Sequence, residues 1–207
     1  MNADTARGRE KEKSVWREYA EIIIIAMMLA LPVREFVFQA FKIPSSSMLD
    51  TLLVGDHLLV NKFVYGPRIP FSHTYIYQGE DPQIGDIVVF EFPDDPSQDY
   101  IKRVVGCPGD TLEMRNKTLY RNGRIVDEPY VRHTLTRDVR RDNFAPIAVP
   151  AGHYFVLGDN RDESLDSRFW KRQFVTRGAI HGKAWRLYWS WSSLTDIRWG
   201  RIGQAIE

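Results

Sequence analysis

The chain has 207 residues, of which 43% are hydrophobic and 13% aromatic, so it can bury the core of a globular domain. Lysine and arginine (28 residues) nearly balance aspartate and glutamate (27 residues), and the formal net charge of +1 indicates no polyanionic partner. No basic run interleaved with aromatic residues follows residue 41, which argues against nucleic-acid binding. The single cysteine, Cys107, cannot form an intramolecular disulfide and is expected as a small core residue.

The amino-terminal part combines a basic segment with an apolar stretch. Five basic residues between positions 7 and 17 precede the stretch, which runs from Ile22 to Phe41 and is interrupted by Arg34-Glu35. A helix of about twenty residues extends roughly 30 Å, the thickness of a bilayer core, and basic residues before a span stay in the cytoplasm. We therefore predict a cytoplasmic segment over 1–21, a single transmembrane anchor over 22–41 and an exported domain over 42–207.

A cleavable secretory signal is the alternative interpretation, because such signals also have a basic start and a short apolar core. No small-x-small cleavage site follows Val33. Phe36, Phe38 and Phe41 lie there instead, and their side chains are too large for such a site. The sequence therefore favours an uncleaved anchor in the cytoplasmic membrane, with the large domain on its outer or periplasmic side.

Short strands dominate the exported part. Its β-branched and aromatic segments are separated by Gly, Pro, Asn and Asp, which is typical of strands and turns and predicts a mainly β fold. Asn122-Gly123 predicts a tight hairpin turn, because both residues adopt positive φ readily. Residues 131–146 are polar and without a clear period, so the region of about 111–150 is expected to form hairpins and an excursion. The predicted strands cover 56–65, 87–92, 100–105, 111–114, 118–121, 124–126, 149–157 and 179–191.

Ser47 is the candidate nucleophile. It lies six positions past the apolar stretch, in the segment KIPSSSM at 42–48, and so at the expected membrane surface. A serine hydroxyl is inert near neutral pH unless a base takes its proton. Lys102, in the segment DYIKR at 99–103, is the first candidate for that base, and Lys62 is the second.

A lysine base must be neutral, although its usual pKa of about 10.4 keeps it charged at pH 7. Burial against apolar neighbours lowers that pKa by several units. Along a strand, the period of two puts Lys102 on one face with Tyr100 and Val104, and Arg103 on the other face. The pattern leaves open whether the lysine face is the inner one, so an exposed Lys102 stays the alternative.

Other catalytic chemistry finds less support in the sequence. The five histidines form no i, i+4 pair and no HExxH motif, so no metal site is predicted. No glycine-rich phosphate loop is present, and no cofactor is predicted. A Ser-His-Asp triad stays open because its members need not be close in sequence, but no GxSxG elbow surrounds a serine.

Five segments, taken together, resemble the successive boxes of the bacterial type I signal peptidases, and they occur in that family's order. The resemblance implies a membrane-anchored serine endopeptidase with a mostly antiparallel β fold and a Ser/Lys dyad. Such enzymes cut signal peptides from exported preproteins after small-x-small sites, so signal peptides and membrane lipid are the implied partners. The segments are IPSSSM at 43–48, VGD with VNK between 54 and 62, GDIVVF at 85–90, residues 99–110, and GDNRDESLDSR at 158–168.

The resemblance also implies a role for each matching residue. Ser47 would be the nucleophile, and Lys102 would be the general base that later returns its proton to the leaving amine. The Ser45 hydroxyl would join the Ser47 backbone N–H in an oxyanion hole. Ser164 would orient Lys102, as a third group orients the base in a triad.

Two further sets of residues complete the implied site. Asp166 and Arg168 would form an ion pair that holds the loop around Ser164 in place. Apolar side chains beside the dyad are expected as walls of shallow substrate pockets that admit only small residues, with plain core positions as the alternative. These side chains are Met48, Leu52, Tyr100 and Ile101.

Two positions depart from the family pattern. Ser46 stands where the family usually has Gly, and Asp50 stands where it usually has Pro. Neither change removes a catalytic group, but together they leave a non-catalytic, membrane-anchored homologue that binds exported chains as the alternative function. A self-cleaving Ser/Lys repressor is a further alternative, although such regulators are cytoplasmic DNA-binding proteins and the apolar anchor argues against one.

Overall fold

The computed structural model describes residues 15–66, 74, 76–136, 139–193 and 195–207. Residues 1–14 of the predicted cytoplasmic segment 1–21 lie outside the described residues. Residues 137 and 138 of the predicted excursion lie outside them as well. Within the described residues, one long helix precedes a β domain with one short helix. The helices are α1 (Val15–Phe36) and α2 (Val139–Asp142).

Twelve strands make up the β domain within the described residues, in agreement with the predicted mainly β fold. All of their named pairings are antiparallel. The strands are β1 (Phe38–Lys42), β2 (Asp56–Asn61), β3 (Ile87–Phe92), β4 (Asp95–Gly106), β5 (Thr111–Arg115), β6 (Thr118–Arg121), β7 (Arg124–Ile125), β8 (Phe144–Ala148), β9 (His153–Leu157), β10 (Val175–Thr176), β11 (Ile180–Ser193) and β12 (Asp196–Ile197).

The amino-terminal apolar stretch is divided between a helix and a strand. Helix α1 begins before the predicted span, ends at Phe36 and buries none of its residues. The strand β1 then pairs with β2, so the predicted continuous helix over 22–41 does not coincide with one element. The sequence of β1 explains the change, because Phe41 packs against the core and Phe38 stacks on Trp185 with ring centroids 5.0 Å apart.

Among the described residues, no helix is both long enough and apolar enough to cross a membrane.

The larger sheet has eight strands in the order β1-β2-β11-β3-β4-β9-β10, with β12 paired to β11. The smaller sheet has the order β7-β6-β5-β8. Its β6–β7 turn is Asn122-Gly123, with φ angles of 55° and 75°, as the sequence predicts. Part of the excursion returns to this sheet, because β8 pairs with β5.

Two predicted strands coincide with β3 and β6, and two others, predicted over 56–65 and 149–157, are each four residues shorter than predicted. Strand β2 ends at Asn61, whose side-chain oxygen accepts the backbone N–H groups of Phe63 (3.0 Å) and Val64 (3.3 Å). Such local bonds compete with a strand ladder, and the chain continues as a 3₁₀ turn over Phe63–Tyr65. Strand β9 begins only at His153, after a turn that contains Gly152 at φ 70°.

Apolar clusters cover the central strands of the larger sheet on both faces. One cluster contains Val60, Val89 and Leu187, and a second contains Phe90, Val104 and Val156. Strand β4 therefore has no solvent-facing side in its second half, and both Lys102 (4% exposed) and Arg103 (3% exposed) are buried. This placement makes two adjacent cationic side chains part of the interior.

Candidate active site

The loop between β1 and β2 carries Ser47, and two buried side chains fix it. Met48 and Leu52 are fully buried in the same apolar cluster, and the Leu52 N–H donates to the Met48 carbonyl at 2.7 Å. A second backbone bond, from the Leu49 N–H to the Ser46 carbonyl (3.1 Å), closes a turn around Ser47. Ser47 is 8% exposed, so its hydroxyl is held at a shallow depth below the surface.

The side chains of Ser47 and Lys102 meet at this loop. Lys102 Nζ lies 2.7 Å from Ser47 Oγ and 2.9 Å from the Ile101 carbonyl oxygen. The ring of Tyr100 lies beside the ammonium group, with its centroid 5.5 Å from Nζ. A serine hydroxyl within hydrogen-bond distance of a buried amine is the geometry that a nucleophile and its base require.

Burial makes Lys102 a usable base. It lowers the pKa of the Lys102 amine to about 8, although the carboxylates of Asp166 and Asp159 partly oppose this change. An amine with a pKa near 8 is neutral in a useful fraction of molecules at neutral pH, whereas an exposed lysine is not. Burial therefore supplies a neutral amine beside Ser47 that can accept the hydroxyl proton.

The loop 158–168 packs directly against the nucleophile. The Asn160 backbone N–H donates to the Ser47 carbonyl at 3.1 Å. A Cβ atom on Gly158 would lie 2.4 Å from the same carbonyl oxygen and 2.3 Å from Ser164 Oγ, closer than side-chain carbons approach other atoms. Glycine at 158 therefore allows the loop to contact the backbone of Ser47.

The two accessory serines occupy different environments. Ser45 is exposed, and its Oγ lies 3.4 Å from Ser47 Oγ. Ser164 is fully buried, and its hydroxyl lies beside the Asp166 carboxylate, whose pKa it helps to lower. The Lys102 amine donates to Ser47 and to the Ile101 carbonyl, so the orienting bond that the resemblance implies for Ser164 is not formed in this structure.

Asp166 and Arg168 form a buried, bidentate ion pair. Arg168 Nε and Nη2 lie 2.8 and 2.9 Å from the two Asp166 carboxylate oxygens. Burial alone would raise the pKa of Asp166, but the Arg168 guanidinium and the Gly158 N–H hold it below its usual value. Arg168 also donates to the carbonyls of Arg141 (2.9 Å) and Arg161 (2.7 Å), so the pair connects the loop to α2.

A second buried ion pair beside the dyad was missed by reasoning from the sequence. Arg103 donates to both carboxylate oxygens of Asp159, at 2.9 and 2.8 Å, and stacks 3.9 Å from the ring centroid of Tyr130. The Thr51 hydroxyl donates to the same carboxylate at 2.6 Å and so links the nucleophile loop to the pair. The available signal was that Arg103 and Asp159 lie inside two of the family-like segments.

A cavity of about 280 Å³ opens beside Ser47 and Lys102. Tyr100 and Ile101 line it, together with Ser45 and the dyad, as the resemblance implies. Met48 and Leu52 do not line it, which corrects the predicted pocket walls. The bond from the Leu52 N–H to the Met48 carbonyl closes the loop between them, and both side chains pack in the core below Ser47. Lys62, the second candidate base, is also outside the lining of this cavity.

The two departures from the family pattern both take part in side-chain contacts. The Ser46 hydroxyl donates to Glu163 Oε2 at 2.8 Å. Asp50 accepts from Arg132 Nη1 at 2.6 Å, in a pair that is largely exposed. Neither contact displaces a member of the dyad.

Comparison with known proteins identifies the family. The family model described as signal peptidase, peptidase S26, matches residues 16–189. The chain belongs to this family. It is 38% identical over 206 residues to signal peptidase I of Pseudomonas aeruginosa, covering 84% of this chain and 72% of that protein.

Relatives from other bacteria agree with this assignment. Signal peptidase I S of Bacillus subtilis is 42% identical over 164 residues, which cover 76% of this chain and 80% of the relative. The probable signal peptidase I-2 of Synechocystis is 34% identical over 193 residues, which cover 90% and 79%. The recognition and the predicted enzyme class, a serine endopeptidase of signal-peptide processing, are confirmed. The comparisons give no support to a non-catalytic homologue.

Proposed function

We propose that this signal peptidase cleaves preproteins with Ser47 as its nucleophile and Lys102 as its general base. The observation that carries the proposal is the 2.7 Å contact between Ser47 Oγ and Lys102 Nζ. The lowered pKa of Lys102, at about 8, supports it, because only the neutral amine can accept the serine proton. Both side chains line one cavity that is open to a peptide.

The reaction then follows from the geometry in two halves. Lys102 takes the Ser47 proton as Oγ attacks the scissile carbonyl carbon, and the carbonyl oxygen becomes an oxyanion. The Ser45 hydroxyl, 3.4 Å from Ser47 Oγ, and the Ser47 backbone N–H are the proposed donors to that oxyanion. The Lys102 ammonium returns its proton to the leaving amine, and an acyl-enzyme remains. Water, deprotonated by Lys102, releases the acid and regenerates Ser47.

The cavity supports a preference for small residues beside the scissile bond. Its volume of about 280 Å³ lies at the lower limit of small-molecule sites, and Tyr100 and Ile101 form its apolar wall. A shallow apolar wall accepts small side chains and rejects bulky ones by overlap. We therefore assign signal peptides with small-x-small sites as substrates, and Asp166 with Arg168 as the pair that supports the site from below.

Helix α1 is proposed as the membrane attachment. Its apolar side chains between Ile22 and Val33 are exposed on all sides of the helix, and none of its residues is buried. An apolar helix surface of this kind needs a lipid or protein cover. The basic residues before it favour an amino terminus on the cytoplasmic side of the cytoplasmic membrane.

Exposed aromatic side chains lie on the β domain. Phe38, two residues after the end of α1, stacks on the exposed Trp185 of β11, and Tyr188 and Trp199 are exposed as well. Tryptophan and tyrosine are enriched at membrane interfaces because one end of the ring is apolar and the other polar. This surface supports a β domain that rests on the outer face of the membrane, with Ser47 near the point where signal peptides emerge.

The test is cleavage of a preprotein with an Ala-x-Ala site by the full chain in lipid or detergent. Wild-type protein should release the mature domain, and Ser47→Ala should lose this activity by more than about a thousandfold while its thermal unfolding is unchanged. Lys62→Ala serves as the matched lysine control and should stay active. Equal cleavage by wild type and Ser47→Ala would show that the nucleophile lies elsewhere.

A further inference from the structure

The side chain of Ser46 is bonded across the site to the loop 158–168. Its hydroxyl donates to Glu163 Oε2 at 2.8 Å, and both residues line the cavity beside the dyad. Ser46 is the residue that stands where the family usually has Gly, so a glycine there could not make this bond. Because Ser46 immediately precedes the nucleophile, a restraint on its side chain is also a restraint on the backbone of Ser47.

Asn160 binds the same two partners from below. Its side-chain Nδ2 lies 3.0 Å from Glu163 Oε2 and 3.1 Å from the Ser46 carbonyl oxygen. Its backbone N–H donates to the Ser47 carbonyl. Both Nδ2 partners are acceptors, so the network fixes the orientation of the amide. Asn160 is fully buried, and it therefore transfers the position of the loop to two successive peptide units at the nucleophile.

The loop itself is a rigid reference for these bonds. The buried Asp166–Arg168 pair holds one end, and Arg161 holds the middle by donating to the Gly158 carbonyl (3.1 Å) and to Glu128 (2.6 Å). A carboxylate has only acceptors, so one Glu163 oxygen can accept from Ser46 and Asn160 together. The Glu163 carboxylate is the junction through which a fixed loop contacts the exposed side of the nucleophile turn.

We propose that Glu163 is a positioning residue, which with Asn160 and Ser46 fixes the Ser47 hydroxyl against Lys102. The inference deepens the proposed function and rests on it, because it assumes that Ser47 is the nucleophile. Small displacements of a reacting group cost far more rate than stability. The bridge therefore acts on the chemical step, and the Ser46 hydroxyl is one of its members.

The effect of the bridge is separable from an effect on the base. The groups that set the Lys102 pKa are its burial and the Asp166 and Asp159 carboxylates. Loss of the Glu163 carboxylate should therefore lower kcat while leaving the pH midpoint of activity in place. Since Glu163 is exposed, its replacement should also leave the fold intact.

The experiment measures kcat, KM and the pH profile of preprotein cleavage by the full chain in lipid. Glu163→Ala should lower kcat about three- to tenfold, with KM within about twofold of wild type and the thermal unfolding temperature unchanged. Glu163→Gln keeps an acceptor oxygen and should recover most of the rate. Ser46→Ala should lower kcat similarly, and the double variant should lose no more than either single variant. Ser97→Ala, which breaks an exposed Ser–Asp bond (2.7 Å) outside the cavity lining, is the matched control and should match wild type.

The possible outcomes separate this inference from the function on which it rests. An inactive Ser47→Ala beside a Glu163→Ala enzyme with wild-type kcat would overturn the positioning role alone. Additive losses in the double variant, or a shifted pH midpoint in Glu163→Ala, would also overturn it, because the two residues would then act separately or through the charge of Lys102. Cleavage by wild type and Ser47→Ala alike would overturn the proposed function, and this inference with it.

Discussion

Two neighbouring basic residues on opposite faces of strand β4 lie in different electrostatic environments. On one face Lys102 is buried against the Tyr100 ring and the Ser47 hydroxyl, and no carboxylate forms a salt bridge with its amine among the described residues. On the other face Arg103 is equally buried, but Asp159 binds its guanidinium with two bonds. Burial without a bonded anion lowers a pKa, whereas burial with one preserves the charge. One strand thus holds a lysine whose pKa is lowered and a structural cation side by side.

The largest expected effect is on the base. Lys102→Ala should lower kcat by about a thousandfold or more, because the proton acceptor is gone. Lys102→Arg should be as inactive as the alanine variant, since a guanidinium does not lose its proton at accessible pH. The measurement is single-turnover cleavage, with circular dichroism to show that each variant folds. An active Lys102→Arg enzyme would contradict the assignment of the base.

A substitution on the opposite face of β4 should lower the free energy of unfolding. Arg103→Ala leaves the buried Asp159 carboxylate without its cation, and breaking a buried pair in this way costs about 3–5 kcal/mol of unfolding free energy. Urea denaturation of the full chain in detergent would measure this change. The control is Arg115→Ala, which breaks an exposed pair with Glu113 and should change stability little. Equal stability of the two variants would mean that Asp159 is accommodated without Arg103.

The two faces of β4 also differ in how well the sequence predicts them. The period of two along a strand correctly separates Lys102 from Arg103, and the family-like segments indicate Ser47. The pattern of one strand cannot reveal that both of its faces are covered, because the two apolar clusters include residues distant in sequence, such as Met48 and Leu52 in one and Tyr65 and Trp170 in the other. For this reason the Arg103–Asp159 pair was not anticipated.

Contacts with other parts of the fold explain the other differences between the predicted and the observed structure. The stretch from Ile22 to Phe41 is mainly apolar along its whole length, yet it changes from helix to strand after Phe36. The change occurs because β1 pairs with β2, and the sequence of the stretch alone does not reveal this pairing. Met48 and Leu52 are apolar residues near the dyad, and the sequence predicts them as pocket walls. The turn at Ser46–Leu49 decides instead that they are core.

The smallest expected effect is the pH dependence that separates a buried from an exposed lysine. The Lys102 pKa is lowered from 10.5 to about 8, chiefly by burial, so the neutral base is lost as the pH falls through 8. The kcat/KM of preprotein cleavage should therefore rise about tenfold per pH unit below pH 8 and level off above it. A midpoint close to the ordinary value would contradict a buried base.

Asp166→Asn should move the midpoint lower, because the Asp166 carboxylate raises the Lys102 pKa. An unfolding curve for that variant checks that the loop persists. A downward shift in a folded variant would show that the base is set by the balance of burial against a distant charge, which is the distinction between the two faces of β4.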